Sequence, residues 1–232
     1  MLNSVKFNDT DIYTEFGCYL AHVDIDVPSV QTHYIEIPLR NGSLDVTELL
    51  TGDVRYEDRK IKIKLRYIGD DILQVYSDLQ NFLHGKRFLV TFDEDASYFY
   101  DGRFAVKKYD RNRTGGGGTF ELEGICNPFK FSIVTSADDW LWDPFDFEEG
   151  YINEMSNLEI NGTETIVLIG DEKVSYATVT TDSQMDITYE NVTVRVGIGT
   201  TTLYDFEFKQ GDNEITITGQ GTITIDYRGA KL

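Results

Sequence analysis

From Ile61 to Tyr67 the chain alternates without exception: Ile61, Ile63, Leu65 and Tyr67 are apolar, and Lys62, Lys64 and Arg66 stand between them. A period of two places successive side chains on opposite faces, so this stretch predicts a strand with one face in a core and one in water. Short runs rich in Val, Ile, Thr and aromatic residues recur along the whole chain, and Tyr and Phe number 14 each. That usage predicts a mainly β protein. In the first half, strands are expected at Val5–Phe7, Cys18–Val27, Gln31–Leu39, from Val54 onward, Arg87–Phe92, Tyr98–Tyr109 and Thr119–Cys126.

One stretch breaks the pattern. Ile72, Leu73, Val75, Tyr76, Leu79, Phe82 and Leu83 recur at helical spacing behind Asp70-Asp71, with Gly85 where a left-handed cap belongs. This predicts a single α-helix lying over the N-terminal sheet. Gly115 to Gly118 lack both the Lys-Ser/Thr tail and the following helix of a phosphate-binding loop, so they predict a hairpin tip.

Beyond Asn127-Pro128 the composition shifts. Residues 1–130 carry 16 Lys and Arg against 21 Asp and Glu; residues 131–232 carry 5 against 19, which is most of the net charge of −19. Strands are expected at Leu158–Ile160, Thr165–Leu168, Ser175–Val179, Asp186–Tyr189, Thr193–Val196, Tyr204–Phe208, Glu214–Thr218 and Thr222–Tyr227, with turns at Asn161-Gly162, Gly170-Asp171 and Gly211-Asp-Asn. Many short strands without a helical period predict a β-sandwich. The charge break predicts two domains, 1–130 and 151–232, with a linker over 131–150.

The acidic balance excludes gripping of nucleic-acid phosphates or anionic lipid surfaces. No apolar run reaches the length of a membrane span, so no membrane insertion is expected. The opening Met-Leu-Asn-Ser-Val-Lys-Phe lacks the regions of a signal peptide, and synthesis in a cytoplasm is expected. Cys18 and Cys126 lack metal-ligand spacing and are expected as free, partly buried thiols. His22, His33 and His84 are too scattered for a metal site, and no nucleophile–base pattern is present, so neither catalysis nor a cofactor is expected. Trp140, Trp142 and Tyr151 sit in an acidic, aromatic stretch and admit two readings. They pin the linker by packing, or their flat faces stack on a glycan.

The stretch from Arg40 to Arg59 is the most demanding. Asn41-Gly42 marks a tight turn, and Gly52-Asp53 another. Between them Leu44, Val46, Leu49 and Leu50 form an apolar turn too short to bury itself. These side chains must press on the body of the protein or on another subunit. Arg40-Asn-Gly-Ser-Leu-Asp-Val-Thr47, Leu50-Thr-Gly52 and Val54-Arg-Tyr-Glu-Asp-Arg59 resemble the signature of the distal tail (Dit) proteins of long-tailed bacteriophages. Phe82-Leu-His-Gly-Lys86 and Tyr98-Phe-Tyr-Asp-Gly-Arg103 follow in the same order, and Gly221–Leu232 fits the family's closing strands.

The resemblance implies an N-terminal β-sandwich with one α-helix that closes into a homo-hexameric ring, followed by a galectin-like C-terminal β-sandwich. It implies a structural role in the virion, at the tail tip. There the ring would join the major tail tube protein to the tail-associated lysin and to a receptor-binding or baseplate protein. In such a ring Leu44, Val46, Leu49 and Leu50 are the expected apolar contacts between subunits, with Arg40, Arg55 and Arg59 fixing orientation. The alternative is that the leucines cover the edge of their own sandwich. The second functional reading, from a different class, is a carbohydrate-binding module that attaches to the host envelope.

Overall fold

The computed structural model describes residues 4–49, 52–112, 116–137, 155–171, 173–174 and 176–232. The chain is mainly β, of β-sandwich type, and its contacts divide it into two compact units, Met1–Lys130 and Phe131–Lys231.

In the first unit the strands are β1 (Val5–Phe7), β2 (Thr10–Asp11), β3 (Cys18–Ile25), β4 (Tyr34–Ile35), β5 (Leu44–Asp45), β6 (Arg59–Tyr67), β7 (Lys86–Phe92), β8 (Tyr98–Arg111) and β9 (Gly118–Cys126). Seven of them form one antiparallel sheet in the order β2-β1-β7-β8-β9-β6-β3. β6 behaves as its alternation requires. Ile61, Ile63 and Leu65 are buried while Lys60, Lys62, Lys64 and Arg66 face outward. They join a core with Phe7, Phe88, Phe104, Phe120 and Leu122. Phe7 meets Phe88 and Phe104 edge to face at 5.5 and 5.2 Å, the geometry that ring quadrupoles favour.

The expected helix spans Ile72–Leu83 (α2) and buries Ile72, Leu79 and Leu83 in that core. A second, five-residue helix, α1 (Ile12–Phe16), precedes it in the chain. Asp11 caps α1 by accepting from the Thr14 amide at 2.8 Å, and Gly17 ends it in the left-handed region. Nothing in the hydrophobic period announces so short a helix; the signal was the cap pair Asp11 and Gly17. The Gly-rich connection joins β8 to β9 as a hairpin, closed by the Asn112 amide on the Gly117 carbonyl.

The second unit contains most of β10 (Lys130–Ser132), then β11 (Leu158–Gly170), β12 (Lys173–Val174), β13 (Thr178–Thr181), β14 (Met185–Tyr189), β15 (Val192–Val196), β16 (Gly199–Thr202), β17 (Gly211–Asp226) and β18 (Gly229–Lys231). β11 and β17 form one long antiparallel ribbon, from Leu158↔Ile223 to Gly170↔Gly211. On its other edge β17 pairs first with β14, which carries β15, and then with β13, which carries β16. The turn expected at Asn161-Gly162 is therefore absent, since both residues lie within β11. The strands expected at Glu214–Thr218 and from Thr222 onward are likewise continuous, with Gly219 to Gly221 inside β17, so four predicted strands merge into two. Gly162 at φ +99° and Gly221 at φ +137° let the ribbon bend without breaking its ladder. Gly211-Asp-Asn, expected as a turn, begins β17 instead. The strand expected at Tyr204–Phe208 is not formed either. Phe206 and Phe208 are buried from an irregular segment, around Tyr189.

Asn213 organises that end of the unit. It is 2% exposed; its amide nitrogen donates to the carbonyls of Leu168, Lys209 and Gly211, and its amide oxygen accepts from the Tyr189 hydroxyl and the Lys209 amide. All of its hydrogen-bonding capacity is used, as a buried amide requires. Asn213→Leu keeps the volume but orphans these partners, and is expected to lower unfolding stability by roughly 2–4 kcal/mol in urea denaturation.

Cys18 and Cys126 are free, buried thiols of the first core, and burial pushes each up to about 12 from an ordinary 9.0. The folded chain thus keeps these protons to higher pH than the unfolded chain does. Their contribution is complete below pH 9 and is lost as pH rises from 9 toward 12. Stability measured across this window is expected to fall less steeply in Cys18→Ala/Cys126→Ala than in the wild type.

Candidate functional site

Among the described residues no group of three or more His, Cys, Asp or Glu side chains could hold a metal. The cavity that opens on the outer face of β7, β8 and β9 holds about 450 Å³ and is lined by charged pairs. Arg87 grips Asp101 through two hydrogen bonds, at 2.7 and 2.5 Å, and Lys107 pairs with Glu123 at 3.4 Å.

The feature that lacks an internal purpose is the connection between β3 and β6. These strands pair from Cys18↔Tyr67 to Ile25↔Ile61, and the ladder then continues outward. The Asp26 amide donates to Lys60, Glu57 to Ser29 and Gln31 to Arg55 through their backbones, and Val30 bridges Tyr56. Further out the Val46 amide donates to His33, and β4 pairs with β5 through Tyr34↔Asp45 and Ile35↔Leu44. The described residues among 26–58 therefore form a two-stranded arm that prolongs the β3–β6 hairpin. Its turns use Gly42 at φ +78° and Gly52 at φ +69°, the two positions marked by Asn41-Gly42 and Gly52-Asp53. Asp45 stiffens the far end by accepting from both the hydroxyl and the amide of Thr47, bonds that hold its carboxyl below the usual range.

The arm exposes apolar side chains along its length. Leu39 is entirely exposed and Leu49 is 76% exposed, while Tyr34, Ile35, Ile37 and Leu44 also face solvent. Leu39 is moreover held at φ +66°, a region L side chains seldom occupy. None of the described residues 26–58 belongs to the core of the first unit.

Of the residues singled out in the sequence, Arg40, Leu44 and Leu49 lie exposed on the arm, and Val46 and Arg55 are half-buried there. Leu50, Trp140, Trp142 and Tyr151 lie outside the described residues. Arg59 departs from the expected set. It is 6% exposed, donates from Nε to the Pro128 carbonyl at 3.0 Å and lies 5.5 Å from the centre of the Tyr100 ring. As the first residue of β6 it points inward with Ile61 and Ile63, so its guanidinium is committed to its own unit. Sequence reasoning missed Tyr34, Ile35, Ile37 and Leu39, because Gln31–Leu39 reads as an ordinary half-buried strand. Only Pro38, which cannot donate to a ladder, hinted otherwise.

The chain shares its fold with the crystal structure of SPP1 Dit (gp 19.1), described as a paradigm of the hub adsorption apparatus in phages that infect Gram-positive bacteria. The TM-score is 0.65 at 14% identity, over 100% of both chains. No protein-family model matches the chain, and no curated protein matches it.

Arg59→Ala removes a charged hydrogen bond and a cation–ring contact from inside the first unit. It is expected to cost roughly 2–3 kcal/mol of stability. Assembly of the protein that remains folded should be unchanged, as read by thermal unfolding together with sedimentation.

Proposed function

We propose that the chain is a distal tail protein, a structural component of the tip of a long non-contractile phage tail. The observation that carries this reading is the likeness of fold to SPP1 Dit along the entire length of both chains. Six copies close into a ring through the first unit. One side of the ring meets the major tail tube protein, and the other meets the tail-associated lysin and a receptor-binding or baseplate protein. The second unit is the galectin-like sandwich of such a hub. Its place is the virion, after synthesis in the host cytoplasm, and its work is positional rather than catalytic. The net charge of −19 suits a channel through which DNA must pass without being held.

A closed ring is built head to tail, with one patch of a subunit seated on a different patch of the next. The arm suits the first of these patches. It presents Leu44 and Leu49 as apolar anchors, has Val46 and Leu50 in the same segment, and carries Arg40 and Arg55 nearby for directed hydrogen bonds. The exposure of Leu44 and Leu49, away from the core of their own unit, favours this placement over a cover for their own sandwich.

The wild type is expected to sediment as six copies of the 26.5 kDa chain. Leu44→Asp with Leu49→Asp is expected to give a folded monomer, because charge placed in an apolar contact is desolvated without a partner. A wild type that stays monomeric at high concentration, or a double variant that still closes the ring, overturns the assignment.

A further inference from the structure

The ribbon of the second unit leaves one long strand edge without a ladder partner. β11 pairs with β17 over all of its 13 residues, and no other strand among the described residues pairs with β11. In an extended strand the N–H and C=O of one residue point to the same side, and successive residues alternate. Two contacts show which residues look away from β17. The Asn161 amide donates to the Glu164 carboxylate at 3.3 Å, and the Ile169 carbonyl accepts from the Tyr227 hydroxyl at 3.0 Å. The hydroxyls of Thr163 and Thr218 lie 3.2 Å apart and those of Thr165 and Thr216 3.3 Å apart, the close approach of pairs that exchange no backbone bonds. Thr163, Thr165 and Val167 therefore direct their backbone groups to the open edge, while Glu164 and Ile166 direct theirs to β17.

Other strand edges are blunted, and this one is not. β3 carries an irregularity between Leu20 and His22, β2 has two residues, and β15 and β16 have five and four. Proteins commonly protect a long edge with Lys, Pro or a bulge. From Leu158 to Gly170 there is no Lys and no Pro, and the register runs without a shift. Thr163–Val167 reads Thr-Glu-Thr-Ile-Val, rich in residues that favour strands, and Thr163, Thr165 and Val167 are exposed. The charge beside it is one-sided. β11 and β17 carry Glu159, Glu164, Asp212, Glu214 and Asp226, and neither strand has a Lys or Arg. A second copy of this edge would meet like charge, whereas a cationic strand would meet opposite charge.

We propose that the Thr163–Val167 edge of β11 takes up an extended, cationic segment of a partner protein by strand addition. The backbone groups supply a ladder that any extended segment can enter, and the acidic ribbon selects Lys or Arg within it. Five residues span about 17 Å, the length of an ordinary strand. The site has defined ends. Gly162 at φ +99° and the Asn161–Glu164 contact close one, and the Tyr227 hydroxyl closes the other. The arm takes no part in it, so the site stands whether or not the chain forms a ring.

Amide hydrogen exchange on the full chain, followed by NMR, tests the proposal. In the chain alone, Thr163, Thr165 and Val167 are expected to exchange at least tenfold faster than Glu164 and Ile166, whose amides face β17. A nine-residue peptide that alternates Lys with Val and Thr, at millimolar concentration, should slow those three amides at least fivefold. The same peptide with every backbone amide N-methylated keeps its charge but cannot form a ladder, and should have no effect. A version with Glu in place of Lys should protect less than the cationic one. Glu159→Lys with Glu214→Lys, both at exposed positions, should weaken protection by the cationic peptide while leaving the thermal midpoint in place. Several results overturn the proposal: slow exchange of the three amides in the chain alone, or protection that grows with the concentration of the chain itself, which would make a second copy the occupant. So do a cationic peptide without effect, a methylated or acidic peptide that protects equally, and full protection in the double variant.

Discussion

Everything in the first unit depends on β6 lying between β3 and β9 with its apolar side in the core. Ile61, Ile63 and Leu65 are almost completely removed from water there. Each such side chain contributes about 1.5–3 kcal/mol before conformational entropy is subtracted. A slip of one residue would bring Lys60, Lys62, Lys64 and Arg66 inward, so the register is strongly determined. That fixed register also determines the arm. β3 and β6 are antiparallel partners, and the described residues between 26 and 58 run out as a continuation of the pair. The arm inherits a rigid base while its far end owes nothing to the core.

The second unit solves a different problem, that of bending a ladder without interrupting it. The β11–β17 ribbon serves one set of partner strands along its first part and another along its second. Ile187, Ile215 and Ile217 from one part, and Val179, Ile223 and Ile225 from the other, belong to a single core. Glycine at the bend permits positive φ where a side chain would resist. Asn213 then saturates the backbone groups left where the chain enters β17, so that an irregular segment can deliver Phe206 and Phe208 to the core.

The first unit places its unusual surface on a firm support, because the arm grows from the β3–β6 pair, whose β6 strand has its apolar side in the core. Rigid presentation of apolar groups suits binding, because little side-chain or loop entropy remains to be lost on contact.

The sequence by itself determined the mainly β class, the course of β6, and α2 from Ile72 to Leu83. Each is a matter of local period and side-chain type, which are written in neighbouring residues. The tertiary structure decided what depends on pairing across long separations. Asn161-Gly162 has the composition of a turn, yet Gly219 opposite it keeps the ladder intact. Arg59 has the composition of a surface cation, yet the parity of β6 turns it toward Pro128 and Tyr100. Gln31–Leu39 has the pattern of a half-buried strand, yet no sheet lies beneath it. In each case the local signal was sound, and a partner more than a dozen residues away, present or missing, determined the outcome.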